Sequence, residues 1–381
     1  MNTISLLQVP LLTVGSGCLA LCRKFLDEQG VKRVFLIAPP FGREIAEKLL
    51  AEIPHSMIES SIEVEPTVSG FNLILDRARE FHPDIVIGLG GGSALDVAKL
   101  VAALLDGKQK ISDVFGIGLL KGRGALLVCI PTTAGTGSKV SPNAILLDET
   151  DQMKKGVISP WLVPDAAFVD AELTLSVPAA VTAATGLDAL THCIEAYTNR
   201  YAHPLVDTWA IEGVRLIGGA LVDAVRRPSN LAARENMALG SLFGGLCLGP
   251  VNTAAVHALS YPLGGRFHVA HGHANAILLP HVMGFNAVAA PDRYSVVALA
   301  LGASPGPSDA ATAEAGIRTL WSLIHSTGLE MRISALGIDE SEIPGLAAAG
   351  LGVKRLMKNN PREMSQQDAE AIYQAAFRGA D

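Results

Sequence analysis

Long uncharged apolar runs, basic clusters and paired cysteines are all missing from this chain, and each absence removes a class of function. No stretch of about 18 apolar residues escapes interruption by charge or glycine, which argues against a membrane span. With a net charge of −7 and no basic run or basic–aromatic stripe, a nucleic-acid or anionic-membrane partner is not expected. The five cysteines, Cys18, Cys22, Cys129, Cys193 and Cys247, are odd in number and scattered, so they form neither a disulfide framework nor a CxxC metal clip. A reducing, cytoplasmic location fits them. No charged segment followed by an apolar stretch and a cleavage site opens the chain, so no secretory signal is expected.

Charged residues are also sparse, at 18%, against 49% apolar. Disorder requires the reverse balance, so the chain reads as a well-packed globular protein. Its 381 residues are too many for one ordinary core and suit two domains. So apolar a chain is expected to bury further surface by self-association, as a homo-oligomer and most simply a dimer.

Up to about residue 177 apolar runs alternate with helical patterns. Strands are expected at 31–38, 60–64 (weaker), 84–88 and 125–130, with helices at 43–53, 70–81 and 94–105. That alternation predicts an α/β domain with a mostly parallel sheet over 1–177. From 178 to 381 the apolar spacing becomes helical, through 181–197, 205–225, 231–246 and 253–263, which predicts an all-α second domain.

Two glycine-rich turns stand out. Asp84-Ile-Val-Ile-Gly88-Leu-Gly-Gly-Gly-Ser93 runs a strand into a glycine cluster and then a helix. Backbone amides in such a turn, with the helix N-terminus behind them, suit a diphosphate. It follows the third expected strand, not the first, which separates it from a standard Rossmann turn. Pro131-Thr-Thr-Ala-Gly-Thr-Gly-Ser138 is a second small-residue loop after a strand; taken alone it is an ordinary hydroxyl-rich loop.

A third constellation has metal-ligand chemistry. Asp188 and His192 are four apart, on one face of the expected helix. By itself such a pair is usually only hydrogen-bonded. His257 lies on another helical segment, and Leu263-Gly264-Gly265 offers a break at which the chain reverses to bring His271 back. One carboxylate and three imidazoles suit Fe²⁺ or Zn²⁺, and an open position would make the metal a Lewis acid.

With these residues assembled, the chain resembles the iron-containing (group III) alcohol dehydrogenase family over nearly its whole length. GGGSALDVAK (90–99), PTTAGTGS (131–138), GLDALTHCIEAY (186–197) and HALSYPLGGRFHVAHGHANAILLPHV (257–282) carry the resemblance. It implies an N-terminal dinucleotide-binding α/β domain, a helical metal-binding and substrate domain, and an active site in the cleft between them. It implies metal ligation by Asp188, His192, His257 and His271. Gly90, Gly91, Gly92 and Ser93 would hold the pyrophosphate, with Asp96, Thr132, Thr133, Thr136, Asn143 and Lys154 along the cofactor. Tyr261 and His271 are the expected catalytic residues.

Four positions depart from the family's pattern. Pro39 stands where an Asp often contacts the adenosine ribose; Glu65 replaces an amide; Lys139 replaces a Glu; and Tyr261 replaces a second His, four residues after His257. Without an acid at Pro39, NADP is expected to be tolerated beside NAD, with Arg43 close by in sequence. Arg266, between two ligands, could favour anionic substrates.

The expected chemistry is metal-assisted hydride transfer between an alcohol or hydroxy acid and NAD or NADP, giving an aldehyde or ketone. A dehydroquinate-synthase-like lyase and a non-catalytic binding protein are the rivals. The first calls for clustered Lys and Arg, which 181–282 lacks; the second would tolerate loss of a ligand, and all four are present.

Overall fold

The computed structural model describes residues 3–379. The chain divides into two compact units. The α/β unit comprises Leu6–Thr133 and Gly137–Val177; the helical unit takes the chain from Pro178 onward, together with Ala134–Thr136 and the N-terminal stretch ending at Ser5. Gly135 joins the helices because its carbonyl accepts from Ser241 Oγ at 3.0 Å.

The α/β unit is built from strands β1 (Leu11–Val14), β2 (Arg33–Ile37), β3 (His55–Glu59), β4 (Ile85–Gly90), β5 (Gly116–Ile117), β6 (Leu126–Pro131), β7 (Asn143–Asp148), β8 (Met153–Ile158) and β9 (Ala166–Val169). Helices α1 (Ala20–Glu28), α2 (Arg43–Leu50), α3 (Val68–Phe81) and α4 (Gly92–Leu104) connect them. One sheet runs β1-β9-β6-β4-β2-β3, and every pairing in it is parallel. A smaller sheet, β5-β8-β7, includes the antiparallel hairpin β7–β8. The centre of the large sheet is buried throughout β4, whose Ile-Val-Ile run is what a two-sided parallel strand requires.

The expected strand at 60–64 does not form. His55–Glu59 pairs with β2 instead, and 60–64 becomes the loop leading to Pro66. Glu59 is the last residue of that strand, and its buried carboxylate accepts from Ser61 and Arg77. The turn at Gly90 follows the fourth strand, not the third, since β1 precedes the strands read from the sequence.

The helical unit holds α5 (Ala179–Tyr197), α6 (Pro204–Arg226), α7 (Leu231–Cys247), α8 (Ala255–Phe267), α9 (His271–Ala287), α10 (Pro291–Ala300), α11 (Asp309–Thr327), α12 (Ile343–Gly352), α13 (Lys354–Met357) and α14 (Gln366–Arg378). Its core draws on α5 through α12 and α14. The chain does not break at Gly264-Gly265. Helix α8 runs through both glycines and is capped by His268 at a left-handed φ of 55°, the His268 N–H donating to the Gly264 carbonyl and the Val269 N–H to that of Leu263. Both glycines are buried within the helix. No helix among the described residues is long and apolar enough to cross a membrane.

Close approach of α4 to β4 depends on Gly88. A Cβ there would lie 2.8 Å from Ala98 Cβ and 3.2 Å from the Leu95 backbone. Gly88→Ala should therefore cost about 1–3 kcal/mol of stability through overpacking. A lowered urea midpoint at unchanged m-value is the expected result; an unchanged midpoint would mean that α4 can shift freely.

Candidate metal centre and nucleotide turn

Helix α5 carries Asp188, His192 and Glu195 at i, i+4 and i+7, so all three share one face. That face is buried. Helix α8 contributes His257 and α9 opens on His271. The three imidazoles converge on one carboxylate oxygen. Asp188 Oδ1 lies 4.0 Å from His192 Nε2, 3.6 Å from His257 Nε2 and 3.6 Å from His271 Nε2. Ligands about 2.1 Å from a common ion in a tetrahedral arrangement are themselves about 3.4 Å apart. Donor atoms of Asp188, His192 and His257 all lie within 4.8 Å of one another. His271 completes the outer side, its side chain 27% exposed.

The donor set fits a divalent cation. His257 Nε2 is buried and makes no hydrogen bond, a cost avoided if the nitrogen binds a metal. Its other nitrogen, Nδ1, pairs with Glu195 Oε2 at 2.6 Å, while Glu195 Oε1 accepts from Val256 N at 2.6 Å. A carboxylate in that place fixes the tautomer and turns Nε2 toward the cluster. Asn275, one turn into α9, donates from Nδ2 to Asp188 Oδ1 at 2.7 Å.

Gly272 permits this convergence. A Cβ on it would stand 2.5 Å from the Ala184 carbonyl oxygen of α5, a backbone atom that cannot step aside.

Charge follows the geometry. Burial opposes ionisation of Asp188, but His192, His271 and His257 outweigh it and hold the carboxyl well below the usual range. Burial likewise disfavours protonated His257; Glu195 and Asp188 prevail and lift it from 6.5 to about 10. Two carboxylates around one imidazole demand positive charge, from a proton or from a metal.

Of the expected nucleotide residues in the α/β unit, Gly90 to Ser93 lie at the end of β4 and Thr132 and Thr133 at the end of β6, while Pro39 follows β2, Asp96 lies within α4, Asn143 opens β7 and Lys154 lies in β8. Gly90 accommodates Pro39, whose Cδ would be 3.0 Å from a Cβ there. Thr133 Oγ1 sits beside Gly91, and Ser93 Oγ donates to Val64 O. Thr132 Oγ1 and Asn143 Oδ1 are buried without hydrogen-bond partners, which suits a polar ligand in this unit. Thr136 groups with the helical unit. Asp96 is committed internally, accepting from Ser138 Oγ and from Ile145 N. Lys154 pairs with Glu65 at 2.6 Å.

Two cations do not stand as their sequence positions suggested. Arg43 is bound to Glu47 at 2.8 Å on the outer surface of α2. Arg266 is bound to Glu342 at 2.6 Å, its charge already met. Glu195, Asn275 and Arg355 are the residues that sequence reasoning missed. Glu195 falls three residues after His192 and Asn275 four after His271, so helical spacing from a ligand would have found both. Arg355 lies far from any motif, yet it donates to the Tyr261 hydroxyl at 2.9 Å.

Comparison with known proteins agrees across both units. Residues 10–171 match the family pattern described as iron-containing alcohol dehydrogenase, and residues 182–377 match its C-terminal counterpart. The chain is 37% identical to long-chain-alcohol dehydrogenase 1 of Geobacillus thermodenitrificans, covering 100% of this chain and 98% of that protein. A crystal structure of 1,3-propanediol oxidoreductase superposes with a TM-score of 0.95 at 31% identity, over 99% of this chain and 100% of that one. Sulfoacetaldehyde reductase from Bifidobacterium kashiwanohense, solved in complex with NAD+, gives 0.89 at 26% identity, over 99% of each chain.

Metal binding must displace the His257 proton. In the metal-free protein that proton stabilises the fold fully below pH 6.5, and the effect is lost as pH rises through about 10. Metal affinity runs the opposite way, rising roughly tenfold per pH unit across that window for one displaced proton. Glu195→Gln should flatten the slope and weaken binding roughly 10–100-fold. Metal titrations of both proteins at several pH values read both effects; a pH-independent affinity in the unmodified protein would overturn the assignment.

Proposed function

The chain belongs to the iron-containing alcohol dehydrogenase family, and from its own residues we propose a metal-dependent oxidoreductase that interconverts an alcohol and an aldehyde or ketone with NAD. The observation that carries this reading is the meeting of three imidazole nitrogens on one oxygen of buried Asp188. Asp188, His192, His257 and His271 would hold Fe²⁺, with Zn²⁺ an acceptable substitute for the same donor set. The α/β unit takes the dinucleotide and the helical unit takes metal and substrate. When bound, the metal supplies Lewis-acid polarisation of the substrate oxygen and the nicotinamide accepts or returns the hydride.

The protein's part is position and charge. Glu195 holds His257 in the tautomer that presents Nε2. Asn275 fixes Asp188 and, at 3.3 Å, reaches His271 Nε2. Tyr261, one turn after His257, faces the His271 ring with centroids 6.1 Å apart. That contact supports a role for its hydroxyl in orienting substrate or passing on the proton. Gly90, Gly91, Gly92 and Ser93 would cradle the pyrophosphate, with Thr132, Thr133, Thr136, Asn143 and Lys154 beside it.

His257→Ala should abolish turnover while leaving NADH binding, read by fluorescence titration, within a few-fold. Retained activity at unchanged metal content would sink the mechanism.

Cofactor choice turns on Pro39. It bears no carboxylate to repel a 2′-phosphate, and Arg43, engaged with Glu47, adds little attraction. NAD is therefore the principal cofactor, with measurable activity on NADP. Steady-state kinetics with each decide it; an overwhelming preference for NAD would refute the tolerance.

A further inference from the structure

Arg355 stands one aromatic ring away from His271 of the candidate metal cluster. Its helix, α13, packs Leu356 against Ala258 and Tyr261 of α8, the helix that also carries His257. The guanidinium donates to the Tyr261 hydroxyl at 2.9 Å, and its carbon lies 5.6 Å from the centre of that ring. Tyr261 in turn faces His271.

Among the described residues Arg355 meets no carboxylate. Arg123, Arg266 and Arg293 each hold a carboxylate. Arg355 is half-buried, and among the described residues its contacts are both with Tyr261, a neutral partner. A guanidinium has five N–H donors in a fixed fork, matched to a carboxylate or sulfonate, and Tyr261 takes one of them. The surroundings reinforce the sign. Lys354, Arg355, Lys358 and Arg362 fall within one short segment of a chain whose net charge is −7. A local positive field in an acidic protein attracts an anion.

We propose that Arg355, held by Tyr261, binds an anionic group at the far end of the substrate, so that the preferred substrates are ω-hydroxy acids and their oxo-acid products rather than plain alcohols. This rests on the dehydrogenase reading above. In the forward direction the carbinol C–H passes as hydride to NAD+, the hydroxyl proton leaves to solvent, and the products are the oxo acid and NADH. The distal carboxylate or sulfonate is unchanged; it only fixes the register of the chain. Arg266, close to the ligands in sequence, does not serve this purpose because Glu342 neutralises it.

The test compares 4-hydroxybutanoate with 1-butanol, and 3-hydroxypropane-1-sulfonate with 1-propanol, in the unmodified enzyme, Arg355→Ala, Arg355→Lys and Tyr261→Phe. The readout is the ratio of kcat/KM for the anion to that for its matched alcohol. Arg355→Ala should lower that ratio roughly 30-fold or more, a lost charge-assisted contact. Arg355→Lys should restore part of it, since charge returns without the fork, and Tyr261→Phe should lower it less than the alanine. The pair with the larger ratio tells carboxylate from sulfonate. A ratio unchanged by Arg355→Ala in a folded enzyme overturns the proposal.

Titration of butanoate into metal-free protein by calorimetry reads the same site without turnover, and Arg355→Ala should abolish the heat. Butanoate binding through Arg355 with no oxidation of any alcohol would refute the dehydrogenase reading and leave the anion site standing. Alcohol oxidation with no dependence on Arg355 in either assay would do the reverse.

Discussion

A carboxylate buried in an apolar helical core is the constraint on which the helical unit is built. Asp188 is 1% exposed and cannot remain ionised there without positive charge around it. The fold answers by bringing imidazoles from three helices to one of its oxygens. Once that meeting point is fixed, much else follows. Helix α5 must present Asp188, His192 and Glu195 on one stripe; α9 must approach closely enough that position 272 tolerates no side chain; and α8 must hold His257 between two acids. The apolar helices supply the rigidity that keeps such a cluster from relaxing into water.

The α/β unit solves a different problem, the close approach of its own elements around β4. Gly88 and Gly90 remove side chains where α4 and Pro39 press against β4. Lys99, fully buried beneath this turn, donates to Ser138 and to the Asn143 carbonyl. It thereby ties the loop after β6 to the start of β7. Burial pushes the Lys99 ammonium down and Asp96 pulls it back up, so Asp96 serves as the counter-charge of this internal brace. That accounts for a residue whose place in a nucleotide motif suggests ligand contact but whose oxygens are occupied within the protein.

Local periodicity made much of this legible. Strand–helix alternation before residue 178 and helical spacing after it gave the two-part architecture, and four-residue spacing on α5 marked Asp188 and His192. Failures fell where structure depends on partners distant in sequence. The edge strand His55–Glu59 is defined by its pairing with β2, not by its own apolar pattern, so 60–64 drew attention instead. Gly264-Gly265 resembles a helix stop, yet tertiary packing carries the helix to His268. The pairing of Arg266 with Glu342 spans 76 residues and that of Arg355 with Tyr261 spans 94; neither leaves a trace in local spacing.

Two of the four departures from the family's pattern become intelligible as pairs. Glu65 replaces an amide and is met by Lys154. Tyr261 replaces an imidazole and is met by Arg355. Pro39 replaces an acid and fills the space against Gly90. Lys139, in place of an acid, is buried at 2% exposure. In the first two cases a changed residue is held by a cation, and the consequences differ in sign. Glu65 neutralises Lys154, leaving that site with less net charge to offer a ligand. Tyr261 has no charge to give, so Arg355 keeps its own. An imidazole at position 261 could protonate and repel the guanidinium; a phenol cannot, and it accepts the hydrogen bond that holds Arg355 in place. The exchange of His for Tyr thus does more than alter a proton path: it leaves a full positive charge one aromatic ring from His271.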